Sequence, residues 1–207
     1  MNHDSNFDGL AYPRSESKGR TYVYVLPCRG EDLVKVGFSR DPLQRFHTLH
    51  RRFFNFFDLE AGLLIETEHL REARRIERLF IEKWPEHQAP APLAIAKSAG
   101  GHTEWFRGIQ GPVNDFAVRL ATRYDHKVHA PLRSWIAERL LDRSSVLYDW
   151  SMRLLSLIAD QAAYSTSETN ASPYAIALRD ALDACLAVGM DLFSLVPDTV
   201  LRWYERQ

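Results

Sequence analysis

TYVYVLPCRGEDLVKVGF (21–38) decides the fold. Two apolar runs, TYVYVL (21–26) and LVKVGF (33–38), flank PCRGED, in which Pro27, Gly30 and Asp32 are turn formers. Valine-rich and aromatic runs joined by such a segment predict a β-hairpin. Side chains alternate along a strand, so Tyr22 and Tyr24 share one face while Val23 and Val25 share the other. A row of phenols serves chemistry or simple packing, and the hairpin alone does not choose. In the second run Lys35 opposes Val34 and Val36, and Gly37 leaves room for a close backbone approach.

Outward from the hairpin, Asp41 and Pro42 announce a helix, the first as N-cap and the second at the first helical position. Leu43, Phe46, Leu49, His50, Phe53 and Phe54 then recur at helical spacing as one buried stripe. Arg45 stands at its edge, where the stem packs while the guanidinium reaches the sheet. His47 falls on the far, solvated face, and His50 reads as a core histidine. EAGLLIET (60–67) reads as a third strand, and TEHLREARRIERLFIEKW (67–84) as the strongest helix, with Thr67 as N-cap. Its apolar residues are Leu70, Ala73, Ile76, Leu79, Phe80, Ile81 and Trp84, and Glu77 projects inside their arc. A carboxylate placed there needs an arginine, a hydrogen-bond donor or a metal ion. A structural ion pair with Arg45 or Arg74 is the bland alternative; a functional site is the other, since perturbed carboxylates concentrate at such sites.

Residues 1–19 are polar and patternless and read as a mobile tail. PEHQAPAPLAIAKSAGG (85–101) reads as a long loop able to close over a substrate, and HTEWF (102–106) as part of a final strand whose Trp105 and Phe106 pack under the sheet. Beyond Gly111 the texture changes: from Val113 to Gln207 no convincing strand is legible, and four or five helices are expected, broken mainly at STSETNASP (165–173). Target selection, dimerisation or the docking of a protein partner is assigned to this region.

The chain has 207 residues, 45% of them apolar, with a net charge of −1. That suits a globular protein with room for one domain and part of another. No apolar run reaches the ~18 residues of a membrane span and no hydrophobic leader follows Met1, so a cytoplasmic protein with no membrane association is expected. Cys28 and Cys185 lack metal-ligand spacing and imply neither zinc nor a disulfide framework. Near-neutral charge argues against a sequence-indifferent nucleic-acid coat, but not against a local patch.

The order YVY, KVG, S-x-D-P-x-x-R, a helix carrying I-E-R, then E-W-F resembles the GIY-YIG nuclease superfamily, in particular its phage- and bacterium-derived branch whose second motif reads K-[IV]-G. The resemblance covers about residues 20–110. It implies an α+β fold: a small domain with a three-stranded, mostly antiparallel sheet flanked by helices, followed by an all-α region over 111–207. Tyr24 matches the tyrosine of the first motif, Gly37 the glycine of the second, Arg45 the catalytic arginine and Glu77 the metal-binding glutamate. The implied activity is phosphodiester hydrolysis, with DNA the expected polymer, at a single Mg²⁺ or Mn²⁺ held by Glu77. Arg45 is expected to donate hydrogen bonds to the phosphate, and Tyr24 to orient or deprotonate the attacking water.

Two departures bear on the mechanism. Lys35 stands where a tyrosine is usual; it is placed to lower the pKa of Tyr24 or contact phosphate, and cannot act as a base while protonated. A late asparagine of many members is missing, and Glu104 lies in about its place, with His102 nearby. Arg71, Arg74, Arg75 and Arg78 cluster beside Glu77, and Arg51 and Arg52 end the first helix; from these, together with Arg40, a phosphate-contacting set of Arg40, Arg51, Arg74 and Arg78 is expected. Pairing of Glu72 with Arg75 and of Arg78 with Glu82 on a solvated face is the competing reading. Two functions remain: a metal-dependent endonuclease, and a module that has lost turnover and binds nucleic acid or protein.

Overall fold

A computed structural model describes residues 19–164 and 172–206. The expected tail over 1–19 and the break at 165–173 lie almost wholly outside the described residues. The chain divides into two compact units between Ile136 and Ala137.

The first unit is built on the predicted hairpin. Strands β1 (Thr21–Pro27) and β2 (Leu33–Ser39) pair antiparallel, with Tyr24 opposite Gly37. β3 (Leu63–Thr67) pairs with the other edge of β1, β4 (Trp105–Arg107) with β2, and β5 (Lys127–His129) with β3. The result is one antiparallel sheet of five strands in the order β4-β2-β1-β3-β5, not three. β5 corrects the expectation that no strand follows Val113.

Helix α1 (Pro42–Leu49) starts as expected, with the Asp41 carboxylate accepting from Gln44 N at 3.1 Å. It ends at His50, whose extended backbone breaks the expected single helix and leaves α2 (Phe53–Phe56) as a separate turn. The imidazole accepts from Arg52 N at 3.2 Å and stacks on Phe56 at 4.5 Å, so the break is held by the side chain of His50 itself. α3 (Leu70–Lys83) starts two residues later than expected. Thr67 is the last residue of β3, with its hydroxyl donating to Thr21 O at 2.8 Å; His69 is the N-cap, and its amide donates to Glu72 at 3.2 Å.

The aliphatic face of the sheet forms the main core. Val23, Val25, Val34, Val36, Leu63 and Ile65 meet Ala73, Ile76 and Phe80 of α3 and Val113, Ala117 and Leu120 of α4 (Gln110–Arg123). A fully buried side chain of this size contributes about 1.5–3 kcal/mol. Because α4 completes that core and β5 extends the sheet, both belong to the first unit rather than to a helical region beginning at 111. The opposite face carries Tyr22, packed edge-on to Trp135 at 5.4 Å, and Tyr24, edge-on to Phe46 at 5.5 Å.

Helix α5 (Leu132–Leu141) spans the boundary between the units. In the second unit α6 (Ser144–Tyr164) packs along α7 (Pro173–Ala187) and α8 (Asp198–Glu205), with Leu147, Trp150, Leu154, Leu178, Leu182 and Val200 buried. Tyr204 donates to the Asp183 carboxylate. Cys28 and Cys185 are free and buried, and burial pushes both thiols up to about 12. Among the described residues no helix is long and apolar enough to cross a membrane.

Candidate active site

Tyr24 sits at the centre of β1 because the hairpin register puts it against the one β2 residue without a side chain. A Cβ on Gly37 would lie 2.3 Å from the Tyr24 hydroxyl and 2.5 Å from its Cζ. The phenol is 1% exposed and accepts a hydrogen bond from Arg45 Nε at 3.2 Å. Arg45 reaches it from the first turn of α1, which fixes the stem against the sheet. Burial pushes the Tyr24 hydroxyl above its ordinary value, and the charge and hydrogen bond of Arg45 only partly offset this. The direction of the shift favours the protonated phenol.

Lys35 is 1% exposed, an unusual location for an ammonium group. Its register partner is Trp105, and its Nζ donates to Glu104 Oε2 at 2.7 Å and lies 5.7 Å from the Trp105 ring. Burial lowers the lysine from its ordinary value, and the bond and charge of Glu104 oppose that. Burial acts to raise Glu104 as well, but Lys35 and the Thr103 hydroxyl, which donates at 2.7 Å, outweigh it and hold the carboxyl below its usual range. The ion pair is part-buried, with the lysine enclosed and the carboxylate partly open to solvent. Lys35 thus has a bonded partner in Glu104, 69 residues away in sequence.

Glu77, on α3, is half-buried and, among the described residues, has no hydrogen bond or ion pair. The structural ion pairs with Arg45 and Arg74 are not formed. Burial first, and the Glu104 carboxylate second, push Glu77 up to about 7, against the pull of Lys35, Arg45 and Arg74. Tyr24, Lys35, Arg45, Glu77 and Glu104 thus form one electrostatically coupled cluster, and Glu77 is its member without a bonded partner.

The residues fit a hard divalent cation: Glu77 offers free carboxylate oxygen in a setting whose negative charge is undercompensated. No group of three or more His, Cys, Asp or Glu side chains able to hold a metal occurs among the described residues. An ion at Glu77 would then take most of its ligands from water and substrate, as Mg²⁺ commonly does.

Arg40, Arg74 and Arg78 are exposed and, among the described residues, form no ion pair; Arg74 lies 6.0 Å from the Phe38 ring. The expected Glu72–Arg75 and Arg78–Glu82 pairs are not formed; Arg75 instead stacks toward Tyr124 at 5.9 Å. Arg51 is exposed just beyond the C-terminal end of α1, away from the first turn that carries Arg45. His102 binds the Lys97 carbonyl at 2.9 Å and does not enter the cluster. Glu104 enters the cluster more closely than its sequence signals suggested, which were its place before the β4 aromatic pair and near a missing late asparagine.

Residues 21–121, just under half of the chain, match the T5orf172 domain, which falls in the nuclease-associated class. That match is compatible with a nuclease-like or DNA-binding role and with interaction with nucleic acid. No curated protein matches the chain. No solved structure matches it.

Proposed function

We propose that the first unit is a divalent-metal-dependent endonuclease of GIY-YIG type, hydrolysing phosphodiester bonds in DNA with Mg²⁺ or Mn²⁺ at Glu77. The observation that carries the reading is the half-buried Glu77 carboxylate without a bonded partner, in range of Arg45 and the Lys35–Glu104 pair. A folded protein leaves such a group unpaired at a cost, and a binding module has no use for it.

A cation held by Glu77 supplies Lewis-acid polarisation of the scissile phosphate. Arg45 donates from its guanidinium to a non-bridging phosphate oxygen as charge develops there, an effect of about 10²–10³ in rate per donor in other enzymes. Tyr24, whose protonated form burial favours, orients the attacking water. Lys35 and Glu104 hold the floor of the site in register, and the Glu104 carboxylate adds to the negative field at Glu77 while Lys35 opposes it. Arg40, Arg51, Arg74 and Arg78 are assigned to phosphates flanking the cut. The second unit is assigned target selection or pairing with a second copy or another protein. Incubation of the full chain with plasmid and single-stranded DNA in Mg²⁺ or Mn²⁺ tests the reading: metal-dependent scission supports it, and no cleavage of any nucleic acid by the folded protein overturns it in favour of the binding module.

A further inference from the structure

Each terminal nitrogen of Arg45, the group assigned to the phosphate, already holds one backbone carbonyl. Nη1 donates to Ala99 O and Nη2 to Gly100 O, the latter at 3.4 Å. These carbonyls belong to a tight turn at Lys97–Gly101, which opens as one turn of 3-10 helix and continues through two consecutive glycines at φ +64° and +68°. Only glycine adopts that pair of backbone conformations without strain. The turn lies directly on the site: a Cβ on Gly101 would sit 2.8 Å from Arg45 Nη2, 3.2 Å from Lys35 Nζ and 3.3 Å from Glu104 Oε2. It is anchored by the buried side chain of Ala99, by Trp105 Nε1 donating to Gly101 O at 3.1 Å, and by the His102 ring on Lys97 O.

We infer that the Lys97–Gly101 turn is an internal occupant of the phosphate site, its two carbonyls holding the Arg45 donors until a phosphodiester displaces them. The inference rests on the reading of Arg45 as the phosphate donor. Two carbonyl oxygens bound to one guanidinium present the same acceptor pattern as two phosphate oxygens, but as dipoles without net charge, so a phosphate outcompetes them. The occupied form is then the minor binder, and apparent affinity is reduced by the fraction of molecules with the turn in place.

The test uses the full chain with a short DNA duplex in Ca²⁺, read by amide hydrogen exchange over residues 95–104 and by equilibrium binding. DNA is expected to raise exchange in the turn, the reverse of the protection a simple contact gives. His102→Ala together with Trp105→Phe removes two anchors while leaving Arg45, Lys35 and Glu104 in place. At about 1 kcal/mol per hydrogen bond, roughly fivefold each, the double variant is expected to bind DNA up to about 25-fold more tightly and to show raised exchange without DNA. His102→Ala alone, at an exposed position, keeps the comparison available if the Trp105 change disturbs folding. DNA binding with unchanged exchange and equal affinities overturns the inference alone. No binding by either protein overturns the nuclease reading, and the inference falls with it.

Discussion

Replacing Glu77 by glutamine is expected to stabilise the metal-free first unit while removing its function. The carboxyl is pushed from 4.5 in the unfolded chain to about 7 in the fold. The sign follows from linkage: where the folded group holds its proton more tightly than the unfolded one, stability falls as pH rises between the two values. Below pH ~4.5 both states are protonated and glutamate and glutamine are equivalent. Above pH ~7 the native unit carries the full penalty of an ionised Glu77. At about 1.4 kcal/mol per pH unit the gap has an upper bound of ~3.5 kcal/mol, and solvent screening on the open side of the carboxylate reduces it to roughly 1 kcal/mol. Exchange of the β1 and β3 amides, measured in chelator at pH 4.5 and pH 8, isolates this unit from the helical one. Glu77→Gln is expected to gain about 1 kcal/mol at the higher pH and nothing at the lower, and Mg²⁺ to stabilise the wild type alone. A variant less stable than the wild type at pH 8, or a difference that ignores pH, would refute the reasoning, because it would mean that the carboxylate already has a partner.

Other outcomes follow from the same geometry. Gly37→Ala is expected to cost about 1–3 kcal/mol in thermal or urea unfolding, and Tyr24→Phe not to rescue it, since ring carbons as well as the hydroxyl occupy the space. Glu104→Ala leaves the buried Lys35 ammonium unpaired and is expected to cost about 3–5 kcal/mol, with a Lys35→Met/Glu104→Leu double variant recovering most of it; equal losses in the single and double variants would contradict the ion pair. Combined Arg40→Ala, Arg74→Ala and Arg78→Ala is expected to lower the slope of log affinity against log salt on duplex DNA by about 0.9 for each lost phosphate contact, and an unchanged slope removes these residues from the interface.

The parts of the fold that sequence made legible are those specified locally. β1 and β2 announce themselves by alternation around a turn, α1 by Asp41-Pro42, and α3 by its apolar period. The corrections arise where distant partners decide. Lys127–His129 is too short and too polar to read as a strand, and exists as β5 because β3 offers an open edge. β3 itself starts only at Leu63 because Asp58 ties the amides of Glu60 and Ala61, at 3.0 and 3.2 Å, into a turn. In the site, Arg45 stood out as a charge at the edge of one apolar stripe and Glu77 as a carboxylate inside the apolar arc of another. The Lys35–Glu104 pair was not, since it joins residues 69 positions apart, and neither was the capture of Arg45 by backbone carbonyls, which carry no side-chain signature. The protonated state of Tyr24 depends on burial, which one strand in isolation does not define.

If Glu77 and Arg45 make this cluster a phosphodiester-cutting site, turnover depends on both residues and on a divalent ion. Supercoiled plasmid is incubated with wild type, Glu77→Ala and Arg45→Ala in Mg²⁺, in Mn²⁺ and in chelator, after each protein is shown to be folded. Nicking is expected from the wild type only with a divalent ion, with turnover lowered by at least ~10²-fold in Arg45→Ala and none detectable in Glu77→Ala. Cleavage that persists in Glu77→Ala, or in chelator, would contradict that dependence.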